Sequence, residues 1–153
     1  METIVRSAAV SVLGGPAGAE NPSGTARNSA PPRLLVVDDE PLVRWSVAEV
    51  LGDHGYQVAE AHDAMSAIHA FCETPDPADI VLLDLRLPDS DDLRVLSAMR
   101  QWSPATPIIL MTAYGSPELL EQARLLGAFT VLDKPFEMNE LAGIVDGALR
   151  RPA

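Results

Sequence analysis

Apolar residues follow two patterns along the chain from residue 33 onward. Short continuous apolar runs alternate with segments in which apolar residues recur every three or four positions. Continuous runs are typical of strands covered on both faces, and the longer spacing is typical of helices that bury one face. The predicted strands are RLLVVDD, YQVAEA, ADIVLLDL, TPIILMTAY and AFTVLD, and the predicted helices are EPLVRWSVAEVLGDHG, DAMSAIHAFCE, DLRVLSAMRQW, SPELLEQARLLG and EMNELAGIVDGALR. Strict alternation of five strand–helix units predicts an α/β fold with a five-stranded parallel sheet and helices on both faces.

Residues at the ends of these segments support the predicted helices. Pro41 suits a first helical turn, and Asp63 and Ser116 are good N-cap residues because their side chains can accept backbone N–H groups. Gly55 and Gly127 follow the last apolar positions of two helices, where a left-handed backbone often ends a helix. The local signals therefore agree with the hydrophobic pattern.

Residues 1–32 differ in composition from the rest of the chain. They are rich in Gly, Pro, Ser, Ala and Asn, so they bury too little apolar surface to offset the entropy of ordering. We predict a disordered N-terminal tail and one domain over residues 33–151. Residues 8–13 form an apolar run, but it is short for a signal peptide and Ser11 interrupts it. We expect a cytoplasmic protein, and a start codon further downstream is an alternative account of the tail.

Composition excludes several functional classes. The net charge is −11, and residues 1–32 contribute none of it, because two arginines balance two glutamates there. Direct DNA binding needs basic surface, so we do not expect it. No stretch is long and apolar enough to cross a membrane. Cys72 is the single cysteine, which leaves no intramolecular disulfide and favours a structural role in its helix.

Polar residues stand at the carboxyl ends of four predicted strands. In an open parallel sheet, ligands bind outside these ends, where the strand order reverses. The residues are Asp38, Asp39 and Glu40 after the first strand, Asp84 after the third, Thr112 after the fourth and Lys134 after the fifth. The fold therefore predicts that residues far apart in sequence meet at one edge of the sheet.

This set of side chains suits phosphoryl transfer. Clustered carboxylates repel one another and stay ionised when a cation is present, and oxygen ligands without Cys or His favour Mg²⁺. The hydroxyl of Thr112 and the ammonium of Lys134, the one lysine of the chain, could hold phosphoryl oxygens. Asp84 follows a buried strand and is the best candidate for a carboxylate nucleophile.

Four motifs carry a resemblance to a known family. LLVVDDEP, VLLDLRLPD, ILMTAYGS and LDKPF, in this order, resemble the receiver domain of two-component response regulators, and the chain looks most similar to receivers of the nitrogen-regulation type. The resemblance covers residues 33–150. It implies a flavodoxin-like, doubly wound (βα)5 fold with strand order 2-1-3-4-5.

The resemblance also implies residue roles at the metal and the phosphoryl group. Asp84 would accept the phosphoryl group and, with Asp39, would bind Mg²⁺ directly, while Asp38 would bind it through water. The backbone carbonyl of Arg86 would be a further ligand. Thr112 would bond a phosphoryl oxygen.

Lys134 would pair with the phosphoryl group, and the Lys134–Pro135 peptide is expected to be cis. Two more positions tune the lifetime of the phosphorylated state in such receivers: Arg86 and Tyr114. Both side chains are large, so we expect them to hinder attacking water and slow self-dephosphorylation.

Two positions depart from the family pattern. Receivers usually carry an aromatic residue three positions before the lysine, and here Val131 occupies that switch position. The usual coupling between Thr112 and a swinging ring is therefore in doubt. Asp92 stands where the family usually has glycine, and we interpret Asp91 or Asp92 as a cap of the third helix.

The leading functional hypothesis is a single-domain response regulator. It would receive its phosphoryl group from a histidine kinase or a histidine phosphotransfer protein, and it would signal by protein contact through the fourth helix, fifth strand and fifth helix, with a homodimer as one option. It would act as a switch with slow self-catalysed chemistry, not as an enzyme on an external substrate.

Other functional classes remain as alternatives. The main one is a receiver-like scaffold that binds partners without phosphorylation, which Val131 favours and the acidic pocket opposes. A flavodoxin-like cofactor binder would need a phosphate-cradling first loop, where DDEP has the wrong charge. A small aspartyl phosphatase would carry an acid at the position of Arg86.

Overall fold

The structure, a computed structural model, describes residues 4–6 and 30–150. The strands are β1 (Ile4–Arg6), β2 (Arg33–Val37), β3 (Gln57–Ala61), β4 (Ile80–Asp84), β5 (Ile108–Thr112) and β6 (Thr130–Asp133). The helices are α1 (Pro41–Asp53), α2 (Ala64–Cys72), α3 (Arg94–Trp102), α4 (Pro117–Leu125) and α5 (Met138–Arg150). Each of the ten elements predicted from the sequence is present.

The strands form one sheet in the order β1-β3-β2-β4-β5-β6. The last five strands in chain order are parallel to their neighbours and follow the order 2-1-3-4-5 among themselves. This confirms the flavodoxin-like arrangement. The strand order reverses between β2 and β4, so the carboxyl ends of these two strands border the expected ligand crevice.

The strand β1 was not predicted. Ile4–Arg6 lies antiparallel on the outer edge of β3, with Val5 opposite Ala59. An outer strand offers unpaired backbone groups, and a short tail segment can satisfy some of them. The prediction of a disordered tail is therefore wrong for these three residues. The remaining tail up to residue 29 lies outside the described residues, as do residues 151–153.

Each face of the sheet carries its own hydrophobic core. One core joins the sheet to α1 and α5, and the other joins it to α2, α3 and α4. In β4, Ile80 and Leu82 point to the first core, while Val81 and Leu83 point to the second. Every residue of β4 and β5 is buried, which explains why these strands appear in the sequence as continuous apolar runs.

The predicted helix ends are confirmed where the structure gives their contacts. Asp63 forms a capping box with Ser66 at the start of α2, and Ser116 accepts the backbone N–H of Leu119 at the start of α4. Gly55 and Gly127 have φ of 95° and 100°. The turns after α1 and α4 therefore use the backbone freedom of glycine.

Asp92 caps the third helix from just outside it. The N-cap position of α3 is Leu93, but Asp92 Oδ1 accepts the backbone N–H of Arg94 at 3.0 Å, and its Oδ2 lies 3.0 Å from Arg94 Nε. The interpretation of Asp92 as a capping residue is therefore confirmed.

Two expectations from composition can be compared with the fold. Cys72 is half-buried and packs against the second core, and burial raises the pKa of its thiol. This environment is that of a structural cysteine. Within the described ranges, no helix has the length and apolar character needed to cross a membrane.

Candidate functional site

The predicted site residues meet at the carboxyl edge of the sheet. Asp38 directly follows β2 and is fully buried, and its backbone N–H continues the sheet by donating to Ala61 O at 3.1 Å. Asp84 and Thr112 are the last residues of β4 and β5, and both are buried. Lys134 follows β6, where its backbone N–H donates to Thr112 O at 2.8 Å. The backbone of the sheet itself thus sets the spacing of these groups.

The ammonium of Lys134 joins the carboxylates of this edge. Its Nζ lies 2.7 Å from Asp38 Oδ2, 3.3 Å from Asp84 Oδ2 and 3.4 Å from Glu40 Oε1. The Lys134–Pro135 peptide is cis, as expected. A single ammonium therefore faces several carboxylates, and the site carries excess negative charge.

Burial and charge shift the protonation equilibria of this site. Burial, followed by the charge of Asp38, raises the pKa of Asp84 to about 6, although Lys134 and the backbone N–H of Arg86 oppose the shift. Burial lowers the pKa of Lys134, but its hydrogen bond to Asp38 and the charges of Asp38 and Asp84 outweigh this, so the pKa lies above the usual value. At neutral pH Asp84 is therefore mostly ionised, and Lys134 is charged.

Three carboxylates could hold a metal ion. Asp38, Asp39 and Asp84 each offer an oxygen, and these oxygens lie within 4.8 Å of one another. Asp38 and Asp84 are buried, whereas Asp39 is exposed. Oxygen ligands and uncompensated negative charge fit a hard divalent cation such as Mg²⁺. The further ligand expected from Arg86, its backbone carbonyl, remains a prediction.

The side chains of Arg86 and Tyr114 contact each other. Arg86 is two residues beyond Asp84, and Tyr114 is two residues beyond Thr112, where its backbone N–H donates to Thr112 Oγ1 at 3.1 Å. The guanidinium carbon of Arg86 lies 5.8 Å from the centre of the Tyr114 ring, within the range of a cation–π contact. The sequence placed both residues near the site but did not indicate that they would form a pair.

Val131 lies apart from this cluster of polar groups. It is half-buried in β6 and packs against the second core, which includes Ala123 of α4. The position expected to hold a movable ring is therefore filled by a branched aliphatic side chain that packs between the sheet and the α4 side of the molecule.

Sequence reasoning missed three residues that support the site. Arg44 of α1 donates to the backbone carbonyl of Asp38 and pairs with Glu60 of β3. Asp89, in the loop after Asp84, accepts the backbone N–H groups of Ala64 and Met65 at 2.7 and 3.1 Å, and so ties that loop to α2. One signal was available: Glu60 is a charged residue inside a short strand that the pattern otherwise predicts to be apolar.

The class of protein follows from comparison with known families. The model of the response regulator receiver domain matches residues 34–146, so the chain belongs to this family. Sporulation initiation phosphotransferase F of Bacillus subtilis is 33% identical over 113 residues, which cover 74% of this chain and 90% of that protein. The likeness to the family thus covers most of the residues that the structure describes.

Other relatives place the same domain in longer proteins. The regulatory protein AtoC of Escherichia coli is 38% identical over 118 residues, which are 77% of this chain but 25% of AtoC. The chain thus spans about a quarter of that relative. Among solved structures, a CheY-like receiver domain protein of Methanospirillum hungatei superposes with a TM-score of 0.75 at 25% identity, covering 78% of this chain and 94% of that one.

Proposed function

We propose that this receiver domain is a phosphorylation-controlled switch in which Asp84 accepts a phosphoryl group from a histidine kinase or a histidine phosphotransfer protein. The observation that carries the proposal is the position of Lys134, whose ammonium lies within 3.4 Å of carboxylates from two separate strand ends. One compact cation among clustered acids leaves room for a metal ion and for the oxygens of a phosphoryl group.

The proposed reaction is a transfer between two nucleophiles. An oxygen of the Asp84 carboxylate attacks phosphorus, a P–O bond forms, and the P–N bond to the donor histidine breaks, with the electron pair returning to the imidazole. Mg²⁺, held by Asp38, Asp39 and Asp84, would neutralise charge on the phosphoryl oxygens. Lys134, already 3.3 Å from Asp84 Oδ2, needs to move little to bind one of those oxygens.

A surface beside the site suits the donor protein. A groove of about 530 Å³ runs past Lys134 and is lined by apolar residues that include Val43, Phe136 and Met138. Leu42 of α1 is 71% exposed close to its start. Apolar surface bordered by polar groups marks sites of protein interaction, so we propose that the donor binds here.

A second surface suits the output. Leu125, Leu126 and Phe129 are exposed where α4 ends and β6 begins. These residues lie at the end of α4 and just before β6, and we propose the face formed by α4, β6 and α5 as the contact site for a downstream protein or for a second copy of the chain. The acidic net charge of −11 supports a protein target rather than direct DNA binding.

A second candidate function has its own support. A receiver-like scaffold would bind partners without phosphorylation, and Val131 favours it, because a half-buried valine cannot swing as an aromatic ring does. The buried Asp84 and its contact with Lys134 favour the phosphorylated switch. We therefore place the scaffold second.

Phosphorylation from a small donor separates the two functions. The protein is incubated with Mg²⁺ and acetyl phosphate, and the intact mass is measured before and after acid treatment. We expect an acid-labile gain of one phosphoryl group that requires Mg²⁺, disappears in Asp84→Asn and persists in Asp91→Asn, an exposed acid of the same loop. No gain in the wild type, or an unchanged gain in Asp84→Asn, would overturn the proposed switch.

A further inference from the structure

Arg44 joins three elements around the acidic end of β2. It lies in the first turns of α1, where its backbone N–H donates to Glu40 O at 3.2 Å. Its side chain turns back toward the sheet: Nη1 lies 2.6 Å from the backbone oxygen of Asp38, and Nε lies 3.3 Å from Glu60 Oε1 of β3. One side chain thus contacts the β2–α1 turn and the neighbouring strand at once.

This pair of charges is largely removed from water. The side chains of Arg44 and Glu60 are 18% and 10% exposed. Separating such a pair leaves a charge with poor solvation, so each partner resists movement of the other. Glu60 is held by the backbone of β3, which is paired on both sides. The guanidinium is therefore fixed relative to the sheet.

The acceptor at the other end of Arg44 belongs to a metal-binding residue. The carbonyl of Asp38 leads directly into the peptide that carries Asp39, and Asp38 Oδ1 accepts the backbone N–H of Glu40 at 2.9 Å. The turn thus has two restraints, one inside the turn and one from Arg44. Metal ligands need positions accurate to about 0.5 Å, and such accuracy depends on the groups that hold them.

We propose that Arg44, held by Glu60, is a positioning residue that fixes the backbone of Asp38 and Asp39 for binding of Mg²⁺. The inference rests on the proposed function, because it concerns the metal used for phosphorylation of Asp84. Arginine is required here because two different nitrogens act on two acceptors, and a lysine ammonium has no rigid fork that reaches both.

The sign of the effect distinguishes positioning from simple electrostatics. Arg44 is a cation near a cation site, so by charge alone its removal would strengthen binding of Mg²⁺. A positioning residue has the opposite effect: its loss loosens the turn and weakens binding. Changes to groups that orient metal ligands typically cost about 10-fold to 100-fold in metal affinity.

The test is calorimetric titration of the full chain with Mg²⁺. We expect Arg44→Lys, which keeps the charge, to weaken binding about 10-fold. Arg100→Lys is the matched control, because Arg100 also donates from Nη1 to a backbone carbonyl, that of Thr106 at 3.2 Å, at the opposite edge of the sheet. The affinity of the Arg100→Lys variant for Mg²⁺ should equal that of the wild type.

A second variant keeps the test decisive if Arg44→Lys is poorly folded. Glu60→Gln keeps the shape of the side chain and removes the ion pair, so we expect a smaller loss of affinity than in Arg44→Lys. The double variant should bind Mg²⁺ no more weakly than Arg44→Lys, because both changes disrupt the same interaction between Arg44 and Glu60. Multiplying losses in the double variant would show independent effects and overturn the inference.

Two readouts separate this inference from the proposed function. Phosphorylation by acetyl phosphate should be slower in Arg44→Lys at low Mg²⁺ and recover at saturating Mg²⁺. A wild type that takes up no phosphoryl group contradicts the proposed function. A wild type that is phosphorylated, together with Arg44→Lys that binds Mg²⁺ as tightly as the wild type or more tightly, contradicts the positioning role alone.

Discussion

The amino and carboxyl edges of the sheet, where the parallel strands begin and end, differ in how their charged and polar groups are paired. At the amino edge, donors and acceptors are matched: the backbone N–H and side chain of Arg33 bind Asp79 and Gln57, and the hydroxyl of Tyr56 donates to Asp146. At the carboxyl edge, the ammonium of Lys134 is shared among the carboxylates of Asp38, Glu40 and Asp84. Matched polar groups stabilise the fold, whereas an excess of one charge is costly without a ligand. This difference supports the carboxyl edge as the candidate functional site.

The largest expected effect is the loss of the ammonium at the carboxyl edge. Lys134→Met leaves the carboxylates of Asp38 and Asp84 buried without their cation, and we expect it to lower the free energy of unfolding by about 3 kcal/mol at pH 7. The pKa of Lys134 is raised, so its contribution is complete at pH 7 and is lost only as the pH rises through that pKa. Urea denaturation measures the effect.

Arg33→Met is the matched change at the amino edge. Its side chain donates to Gln57 and to the backbone oxygen of Asp76, and its loss should cost about 1 kcal/mol. Equal losses in Arg33→Met and Lys134→Met would show that the two edges do not differ in the way proposed.

The second prediction has the opposite sign. The difference between the usual pKa of 3.8 and a pKa of about 6 for Asp84 corresponds to about 3 kcal/mol of destabilisation. Asp84→Asn removes this cost, which already includes the opposing contact with Lys134, so we expect a net gain of up to about 3 kcal/mol at pH 7 without metal.

The pH dependence checks the cause of that gain. Because the folded state binds the proton of Asp84 more tightly than the unfolded state, the cost is complete above pH 6 and absent below about pH 4. Metal-free wild type should therefore gain stability relative to Asp84→Asn as the pH falls from 7 to 5. A constant difference between the two proteins across this range would refute the electrostatic origin.

The third prediction concerns the amino edge alone. Burial, with the hydrogen bond to Asp146, raises the pKa of the Tyr56 hydroxyl far above its usual value, so it is a neutral donor at all ordinary pH. Tyr56→Phe should lower the free energy of unfolding by about 1.5 kcal/mol, because Asp146 loses this donor. Phosphorylation of Asp84 by acetyl phosphate should be unchanged, and a changed rate would mean that the two edges are coupled.

The smallest expected effect is at the contact between Arg86 and Tyr114. We expect Arg86→Ala and Tyr114→Ala each to shorten the lifetime of phosphorylated Asp84 by a few-fold, since a cation–π contact at an exposed site contributes about 0.5 to 1 kcal/mol. In the double variant the lifetime of phosphorylated Asp84 should be little shorter than in either single variant, because the two side chains shield the site as one contacting pair. A time course of phosphate release provides the measurement, and unchanged lifetimes in both single variants would exclude this role.

Much of the fold could be predicted because local and global signals agree. The strands β4 and β5 are buried on both faces, so their apolar runs are unbroken, and Asp84 and Thr112 mark their ends without ambiguity. The meeting of these residues with Lys134 follows from strand direction alone. The topology of the chain brings the separate motifs into one site, and the alternation of strands and helices along the sequence predicts this topology.

The missed features depend on contacts that no local pattern contains. The pairing of Arg44 with Glu60 spans 16 residues, and the bonds from Asp89 to the start of α2 span 24 and 25 residues. The contact of Arg86 with Tyr114 depends on the paths of two loops. Such contacts depend on which residues lie close together in the folded structure, so residue type and spacing in the sequence alone do not identify them.

The strand β1 has a consequence for behaviour at high concentration. Open strand edges invite strands of other molecules, and this is a common route to aggregation. Ile4–Arg6 occupies the outer backbone groups of β3 opposite residues 58–60. These three residues thus cover part of an edge that could otherwise pair with another molecule. We expect a chain that lacks residues 1–29 to precipitate at lower concentrations than the full chain.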